Sequence, residues 1–157
     1  MSALNRSAAR LAAVQALYQM DVTGKDINES LAEFETHWIA AEIEGEQYHQ
    51  AELALFRDVV RGVLDLQRPI DRMIDDTLEN GWPLRRIEAV LRAAFRAATY
   101  ELMKRSDIPA RVVIKEYVDV AAAFFEREEA GMANAVLDLI ARQLRSGEFD
   151  QDIARRG

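Results

Sequence analysis

The segment ARVVIKEYVDVAAAFFERE, residues 110–128, carries the clearest helical pattern of the chain. Its larger apolar residues recur at i, i+4, i+7, i+8 and i+11, a spacing that places them on one face of an α-helix. A half-buried strand would alternate apolar and polar residues, and no stretch of this sequence does so. The predicted buried face consists of Val113, Tyr117, Val120, Ala121 and Phe124.

Helical periodicity continues over most of the chain and stops at turn-forming residues. The clearest interruption runs from Asn80 to Pro83, because Asn and Gly suit a helix C-terminus and Pro suits the first turn of the next helix. Other breaks are predicted at Gly24, Gly45, Pro109 and Gly131. The predicted helices cover residues 5–21, 29–42, 52–66, 69–78, 84–104, 110–128 and 132–144.

This pattern predicts an all-α fold. We expect a single compact domain of about seven helices over residues 1–146 and a frayed tail over residues 147–157. A chain of 157 residues is long enough to bury a hydrophobic core without disulfides or metals. The scarcity of glycine and proline also favours helices over sheets.

The composition excludes several classes of protein. The chain contains no cysteine, so disulfides, thiolate zinc sites and cysteine nucleophiles are ruled out. No apolar run approaches the roughly 20 residues of a membrane-spanning helix. The N-terminus lacks the basic and apolar regions of a signal peptide. We therefore expect a soluble cytoplasmic protein.

No set of residues suggests catalysis. His37 and His49 are the only histidines, and a metal site would need more converging ligands than these two. Ser106 has no histidine near it in sequence, and no glycine-rich phosphate-binding loop is found. The sequence predicts no enzymatic activity, no cofactor and no metal.

Charge is unevenly distributed along the chain, whose formal net charge is −7. Residues 26–56 hold eight acidic residues and no lysine or arginine, whereas basic residues outnumber acidic ones over residues 84–115. Such polarisation fits a protein with one solvated acidic flank and one surface able to face an anion.

The N-terminal segment NRSAARLAAVQALYQMD, residues 5–21, has Arg6 and Arg10 as its only charges before Asp21. The two arginines are one helical turn apart and are expected beside the apolar stripe. Two interpretations are open at this point. The segment is either a solvated helix that happens to lack acids, or a small positive patch that meets an anion.

Two other polar sets have structural interpretations from spacing alone. Arg85, Arg92 and Arg96 share a helix face. Glu88 lies close enough in sequence to pair with the first two, so local ion pairing is favoured over ligand contact for this group. Asn134 shares a face with Asp138, which can pair with an arginine one turn later. Periodicity by itself assigns both sets to structural roles rather than to ligand contact.

Three stretches together resemble the NusB family of transcription antitermination factors. The first, residues 6–18, is similar to the family's arginine-rich first helix ending in A-V-Q-A-L-Y. The second, residues 82–102, resembles W-x-L-x-R followed by R-A-I-L-R-x-A-x-Y-E-L, with a hydrophobic-Pro pair after it. The third comprises residues 114–121 and 134–138, which are similar to I-N-E-A-V-E-L-A and N-G-V-L-D. The matches follow the family's order and cover most of the chain.

The resemblance implies an all-helical fold of two packed subdomains, without catalysis. It also implies transcription antitermination in support of ribosomal RNA synthesis, in a complex that includes RNA polymerase. In the family the protein pairs with NusE, which is also a small-subunit ribosomal protein. The pair binds the BoxA element of nascent single-stranded RNA.

The resemblance also implies which residues meet RNA and the partner. Arg6 and Arg10 would contact phosphates, which favours the positive-patch interpretation of the N-terminal segment. Leu91 and Arg92 occupy positions expected to contact NusE, although the family usually has an acid at the first of them. The full set of RNA-binding residues is expected to be Arg6, Arg10, Gln15, Tyr18, Met132 and Asn134.

The chain departs from the family pattern at several of these positions. Ser7 and Ala8 stand where further arginines are common, and Gly131-Met132 replaces a common Lys-Phe pair. A function of another class therefore stays open. In that alternative the chain is an RNA-independent all-α module for protein interaction or dimerisation, and its charges are merely solvated.

Overall fold

The computed structural model describes residues 3–43, 50–78, 87–125 and 127–149. These ranges contain no β-strand, so the predicted all-α fold is confirmed. None of the described helices is long and apolar enough to cross a membrane. The long helices are α1 (Ala3–Thr23), α2 (Ile27–Ile43), α3 (Gln50–Asp65), α4 (Gln67–Thr77), α5 (Ala89–Lys104), α6 (Ala110–Phe124) and α7 (Arg127–Leu144).

The helices form two groups that meet at α1 and α5. Helix α1 packs on α2 and α3, while α6 and α7 pack on each other and on α5. Both central helices bury several alanines, among them Ala9 and Ala13 in α1 and Ala97 and Ala98 in α5. Because these side chains are small, the two helices can pack closely. The packing of α1 on α5 therefore joins the two groups of helices.

A glycine permits the contact between α3 and α5. A Cβ atom at Gly62 would lie 2.1 Å from Cε2 of Tyr100, so only glycine leaves room for the ring. The Tyr100 hydroxyl donates to Asp58 Oδ1 at 2.6 Å, and Arg105 Nη1 donates to the other oxygen of that carboxylate at 3.1 Å. Burial and the hydrogen bond to Asp58 raise the pKa of Tyr100.

Helix α6 ends earlier than the sequence predicts, and α7 begins earlier. Phe125 has extended backbone geometry (φ −130°, ψ 169°) and its N–H donates to the carbonyl of Ala121, which closes α6 at Phe124. The predicted break at Gly131 is wrong, since this residue lies inside α7. Phe124 was predicted to be buried, but it is 46% exposed because it occupies the last turn of the shortened helix.

Helix α5, in contrast, begins later than the sequence predicts. Glu88 precedes it with φ −56° and ψ 142°, which is not helical, so the helix starts at Ala89 rather than at residue 84. The predicted breaks at Gly45 and at residues 80–83 lie outside the described residues.

The tail was predicted to fray from residue 147, and this prediction is wrong for residues 147–149, which are helical. Residues 146–149 form a helical turn, and Phe149 packs against the core. Glu148 Oε2 accepts the N–H of Ala110 at 2.9 Å and so caps the start of α6. Arg145 donates within 3.1 Å to the carbonyls of Glu101, Leu102, Arg105 and Ile108.

Candidate nucleic-acid interface

Arg10 lies in the protein interior. Its residue exposure is 1%, and its Nε and Nη2 donate to the two carboxylate oxygens of Glu101, each at 2.9 Å. Its Nη1 lies 3.8 Å from Glu116 Oε1. Ser7 Oγ donates to the other oxygen of Glu116 at 2.7 Å, and the hydroxyl of Tyr117 donates to Glu101.

The buried network raises the pKa values of Arg10 and Tyr117. Burial disfavours the charged guanidinium of Arg10, but the hydrogen bonds and charge of Glu101 outweigh it and raise the pKa of Arg10. Burial and the same carboxylate raise the pKa of Tyr117 well above its usual value. The prediction that Arg10 meets phosphate is therefore wrong, because its charge is buried and compensated inside the fold.

The spacing of residues in the sequence does indicate that Arg10 is buried. Arg10, Val14 and Leu17 follow one another at i, i+4 and i+7, so the arginine belongs to the apolar stripe of α1 instead of flanking it. Glu101 is likewise enclosed by the buried residues of α5. A charge on an apolar helical stripe indicates a buried partner, because an unpaired charge in the core is strongly unfavourable.

The outward strip of α1 carries no charge. Gln15 is exposed and Tyr18 is 37% exposed, so both side chains are accessible to a ligand. Arg6 is half-buried and lies about half a turn around the helix from Gln15, so it does not share their face. The outward strip consists of Ala8, Leu11, Gln15, Tyr18, Gln19 and Val22.

A cavity of about 470 Å³ opens beside this strip, at the junction of α1, α5 and α6. Tyr18 of α1 and Phe124 of α6 both line it, and both are partly exposed. Sequence reasoning missed Phe124 because it placed this residue on the buried face of a longer helix. The remaining lining residues in the described part of the chain are Val14, Gln15, Gln19 and Val90.

The two predicted RNA-binding residues of α7 lie elsewhere. Met132 is half-buried and packs against the core, while Asn134 is exposed. Asn134 lines a different cavity, of about 340 Å³ between α6 and α7, together with Arg111 and Lys115. The structure therefore does not gather all the predicted RNA-binding residues in one cavity.

The two residues predicted to contact the partner differ in accessibility. Leu91 is 4% exposed and belongs to the hydrophobic core, so its prediction as a partner contact is wrong. Arg92 is half-buried and donates to Asp21 Oδ2 from Nε at 2.9 Å and from Nη2 at 2.6 Å. Arg96 makes a two-point contact with Asp71, at 2.8 and 2.9 Å. These ion pairs join α5 to α1 and α4, whereas the sequence suggested that Arg92 pairs locally with Glu88.

Metal ligation has no support in the described ranges, where no three His, Asp or Glu side chains form a group able to hold an ion. The structure does not describe the side chain of His37, and His49 lies outside the described residues.

Comparison with known proteins gives one consistent match. A family model described as "NusB family" matches residues 7–142. The chain is 65% identical over 144 residues to the transcription antitermination protein NusB of Rhodopseudomonas palustris strain HaA2, covering 92% of this chain and 85% of the relative. It is 62% identical to the protein of the same name from Nitrobacter hamburgensis, covering 92% of this chain and 90% of the relative.

Solved structures give the same match. NusB of T. maritima superposes with a TM-score of 0.77 at 30% identity, over 92% of this chain and 96% of that one. A crystal structure of antitermination factors NusB and NusE with double-stranded RNA superposes with a TM-score of 0.74, over 90% of this chain and 99% of that one. Its identity of 23% supports the shared fold only.

Proposed function

The chain belongs to the NusB family of non-enzymatic transcription antitermination proteins, and from this premise we propose that it pairs with NusE and binds the BoxA element of nascent RNA. In this role it supports transcription of ribosomal RNA, as part of a complex with RNA polymerase in the cytoplasm. The observation that carries the proposal is the 65% identity to a transcription antitermination protein over 92% of this chain.

The charge on the protein surface favours RNA binding together with NusE over RNA binding by this chain alone. The net charge is −7, the outward strip of α1 is neutral, and Arg10 is unavailable to phosphates. Because phosphate contacts supply most of the affinity in non-specific nucleic-acid binding, this protein alone should hold RNA weakly. NusE would supply the missing positive surface, while this chain would supply uncharged contacts to the RNA.

The accessible predicted residues keep proposed roles. Gln15 and Tyr18 on α1 and Asn134 on α7 would contact RNA directly, since all three side chains are exposed. Arg6 and Met132 are half-buried and would contribute only from the edges of this surface. Arg92 would act near NusE, by holding the end of α1 through Asp21.

Antitermination can be tested with purified components. A template would carry BoxA upstream of a terminator, and readthrough would be measured with RNA polymerase and NusE, with and without this protein. We expect the protein to raise readthrough on this template and to have no effect when BoxA is scrambled. Equal readthrough with and without the protein on the BoxA template would contradict the proposed function.

A further inference from the structure

We propose that the groove between α6 and α7 holds the sugar–phosphate backbone of RNA on one side of the BoxA element, with Arg111 and Lys115 as its phosphate contacts. This inference rests on the proposed function and adds a second contact region to it. Asn134 was already expected to contact RNA, whereas the two basic residues of α6 gain a role here. The groove contains the cavity of about 340 Å³ that these three residues line.

The basic character of the segment 84–115 reaches the surface in part at this groove. Arg92, Arg96 and Arg105 of the same segment are partly buried and bond to aspartates of the fold. Arg111 and Lys115, by contrast, are exposed, lie one turn apart on α6 and line the same cavity. These two side chains are therefore available to an anion.

Neither cation is held tightly by the protein. Arg111 forms no hydrogen bond or ion pair with any described residue, although it lies close enough to Glu148 to help lower the pKa of that carboxyl. Lys115 donates to Asp119 at 2.9 Å, but the two side chains are 78% and 61% exposed. Such exposed pairs contribute little to stability, so a phosphate can take the place of Asp119 without disturbing the fold.

The acidic residues that line the groove are balanced by neighbouring cations. Asp138 accepts a hydrogen bond from Nε of Arg142 at 2.8 Å, and Asp119 is paired with Lys115. Arg111 is then a positive charge in excess over these two pairs. The outward strip of α1 carries no charge, so this groove is better able to attract a polyanion. In the proposed complex NusE supplies cations itself, which makes RNA the component whose charge fits the groove.

The other side chains of the groove favour the RNA backbone over a base. Phe149 is the only aromatic residue that lines it within the described ranges, and this ring packs against the core. The guanidinium of Arg142 lies 4.6 Å from the ring centroid, so one face of the ring already has a cationic neighbour and is less available for stacking on a base. Asn134 is exposed and can donate from its amide to a phosphate or a ribose hydroxyl.

The groove lies away from the surface proposed for BoxA on α1. Phe124 lies at the end of α6 and lines the cavity beside Tyr18. Lys115 and Arg111 precede Phe124 in the same helix by about 13 to 20 Å, at the rise of about 1.5 Å per residue. RNA that contacts the outward strip of α1 has to continue past this strip to reach the groove, so we assign the groove to nucleotides that flank BoxA.

The test measures RNA binding by the full protein together with NusE. Three RNAs are compared: BoxA alone, BoxA with a short unstructured extension on the 5′ side, and BoxA with the same extension on the 3′ side. Wild type should bind one of the extended RNAs more tightly than BoxA alone. The double variant R111Q/K115Q should lose most of this gain and should bind BoxA alone as wild type does.

Salt dependence gives the size of the expected effect. On the extended RNA, the log–log salt slope of R111Q/K115Q should be about 1.4 smaller than that of wild type, because two phosphates are no longer neutralised at about 0.7 each. A fourfold reduction in salt concentration should then tighten wild-type binding by about sevenfold more than binding by the variant.

The matched control is the double variant R61Q/R72Q. Arg61 of α3 and Arg72 of α4 are exposed and do not line the groove, so this variant loses the same charge elsewhere. It should keep the wild-type gain from the extension and the wild-type salt slope. Both double variants should unfold at the wild-type temperature, since all four side chains are exposed.

Two outcomes would overturn this inference without touching the proposed function. In the first, BoxA binds normally with NusE, but R111Q/K115Q and R61Q/R72Q bind the extended RNAs equally well. In the second, R111Q/K115Q weakens the binding of NusE in the absence of RNA, which assigns the groove to a protein partner. By contrast, absence of any joint binding of BoxA by the wild-type protein and NusE would contradict the proposed function itself.

Discussion

The Arg10 guanidinium holds three helices together. It bonds to Glu101 of α5 at two points and lies 3.8 Å from a carboxylate oxygen of Glu116 on α6, while its own backbone belongs to α1. Tyr117 completes the network by donating its hydroxyl to Glu101. The register of α1 against α5 and α6 is thereby fixed, which sets how Gln15 and Tyr18 face outward.

Replacing Arg10 should lower the stability of the fold rather than remove a direct contact with RNA. We expect Arg10→Met to lower the free energy of unfolding by about 3–5 kcal/mol, because it leaves the buried carboxylate of Glu101 without its counter-charge. Replacing Glu101 by Met as well should recover much of this loss. Urea denaturation measures the unfolding free energies of the single and the double variant. Arg6→Met is the control at a half-exposed arginine and should change the unfolding free energy by less than about 1 kcal/mol. A stable Arg10→Met variant with weakened BoxA binding would restore the phosphate-contact interpretation.

Gly62 and Gly131 offer a matched pair of substitutions. At Gly62 a new Cβ would meet the ring of Tyr100, so Gly62→Ala should destabilise the protein by about 1–3 kcal/mol or more. At Gly131, inside α7, a new Cβ would meet nothing within 4 Å, so Gly131→Ala should stabilise it by about 0.5–1 kcal/mol. Thermal unfolding shows whether each variant is more or less stable than wild type. A stabilising effect of Gly62→Ala would show that α3 and α5 are not packed as described.

At the scale of the helix, periodicity predicted where the described helices lie, but it mistook part of the outward strip of α1 for its core face and did not predict where α6 ends. The run AAAFFERE, residues 121–128, contains no strong breaker and is locally compatible with a helix. The chain nevertheless turns at Phe125, whose side chain packs against the core. Tertiary packing decides this boundary, and the exposure of Phe124 follows from it.

The non-local contacts of Arg10, Arg92 and Arg145 were beyond prediction for a related reason. Each pairs with a group far away in sequence; the partner of Arg10 is 91 residues distant and that of Arg92 is 71 residues distant. Helical spacing places an arginine on a face but does not say which helix covers that face. The arginine-rich sequence therefore suggested a nucleic-acid surface where the fold uses some of these charges for its own packing.

The cap that Glu148 places on α6 predicts a dependence of stability on pH. Burial by itself would raise the pKa of Glu148, but the N–H of Ala110 and the guanidinium of Arg145 outweigh it and lower that pKa from its ordinary value of 4.5. The carboxylate thus stabilises the folded state above pH 4.5, and this contribution disappears as the pH falls through the lowered pKa. Wild type should exceed Glu148→Gln in unfolding free energy near pH 7, and the difference should narrow below about pH 4. A constant difference across this range would rule out a charged cap.

Helix α7 allows a gain-of-function test of the RNA surface. Gly131 is exposed and helical, so Gly131→Lys adds a cation near Met132 without steric conflict. If RNA passes this position, the log–log salt slope of BoxA binding with NusE should steepen by about 0.7, the value for one neutralised phosphate on a single strand. Gly131→Ala makes the same backbone change without charge and should leave the slope as it is. Equal slopes for the two variants would place RNA away from this turn.

At the scale of the whole molecule, the net charge of −7 and the interior use of Arg10 leave the protein poorly equipped to hold a polyanion alone. The outward strip of α1 is instead uncharged and includes the aromatic side chain of Tyr18. In the proposed complex such a surface would add uncharged contacts to RNA, while NusE would supply the positive charge. We therefore expect RNA and NusE to bind this protein with positive coupling, each raising the affinity for the other.

The most direct test of this account is the affinity for BoxA RNA of the protein alone, NusE alone and the equimolar mixture, at two salt concentrations. We predict that the mixture binds at least about tenfold more tightly than the tighter single component, a coupling of about 1.4 kcal/mol or more. Arg6→Met in the mixture should reduce the salt slope by no more than about 0.7. A mixture that binds BoxA no better than the tighter component would contradict the account.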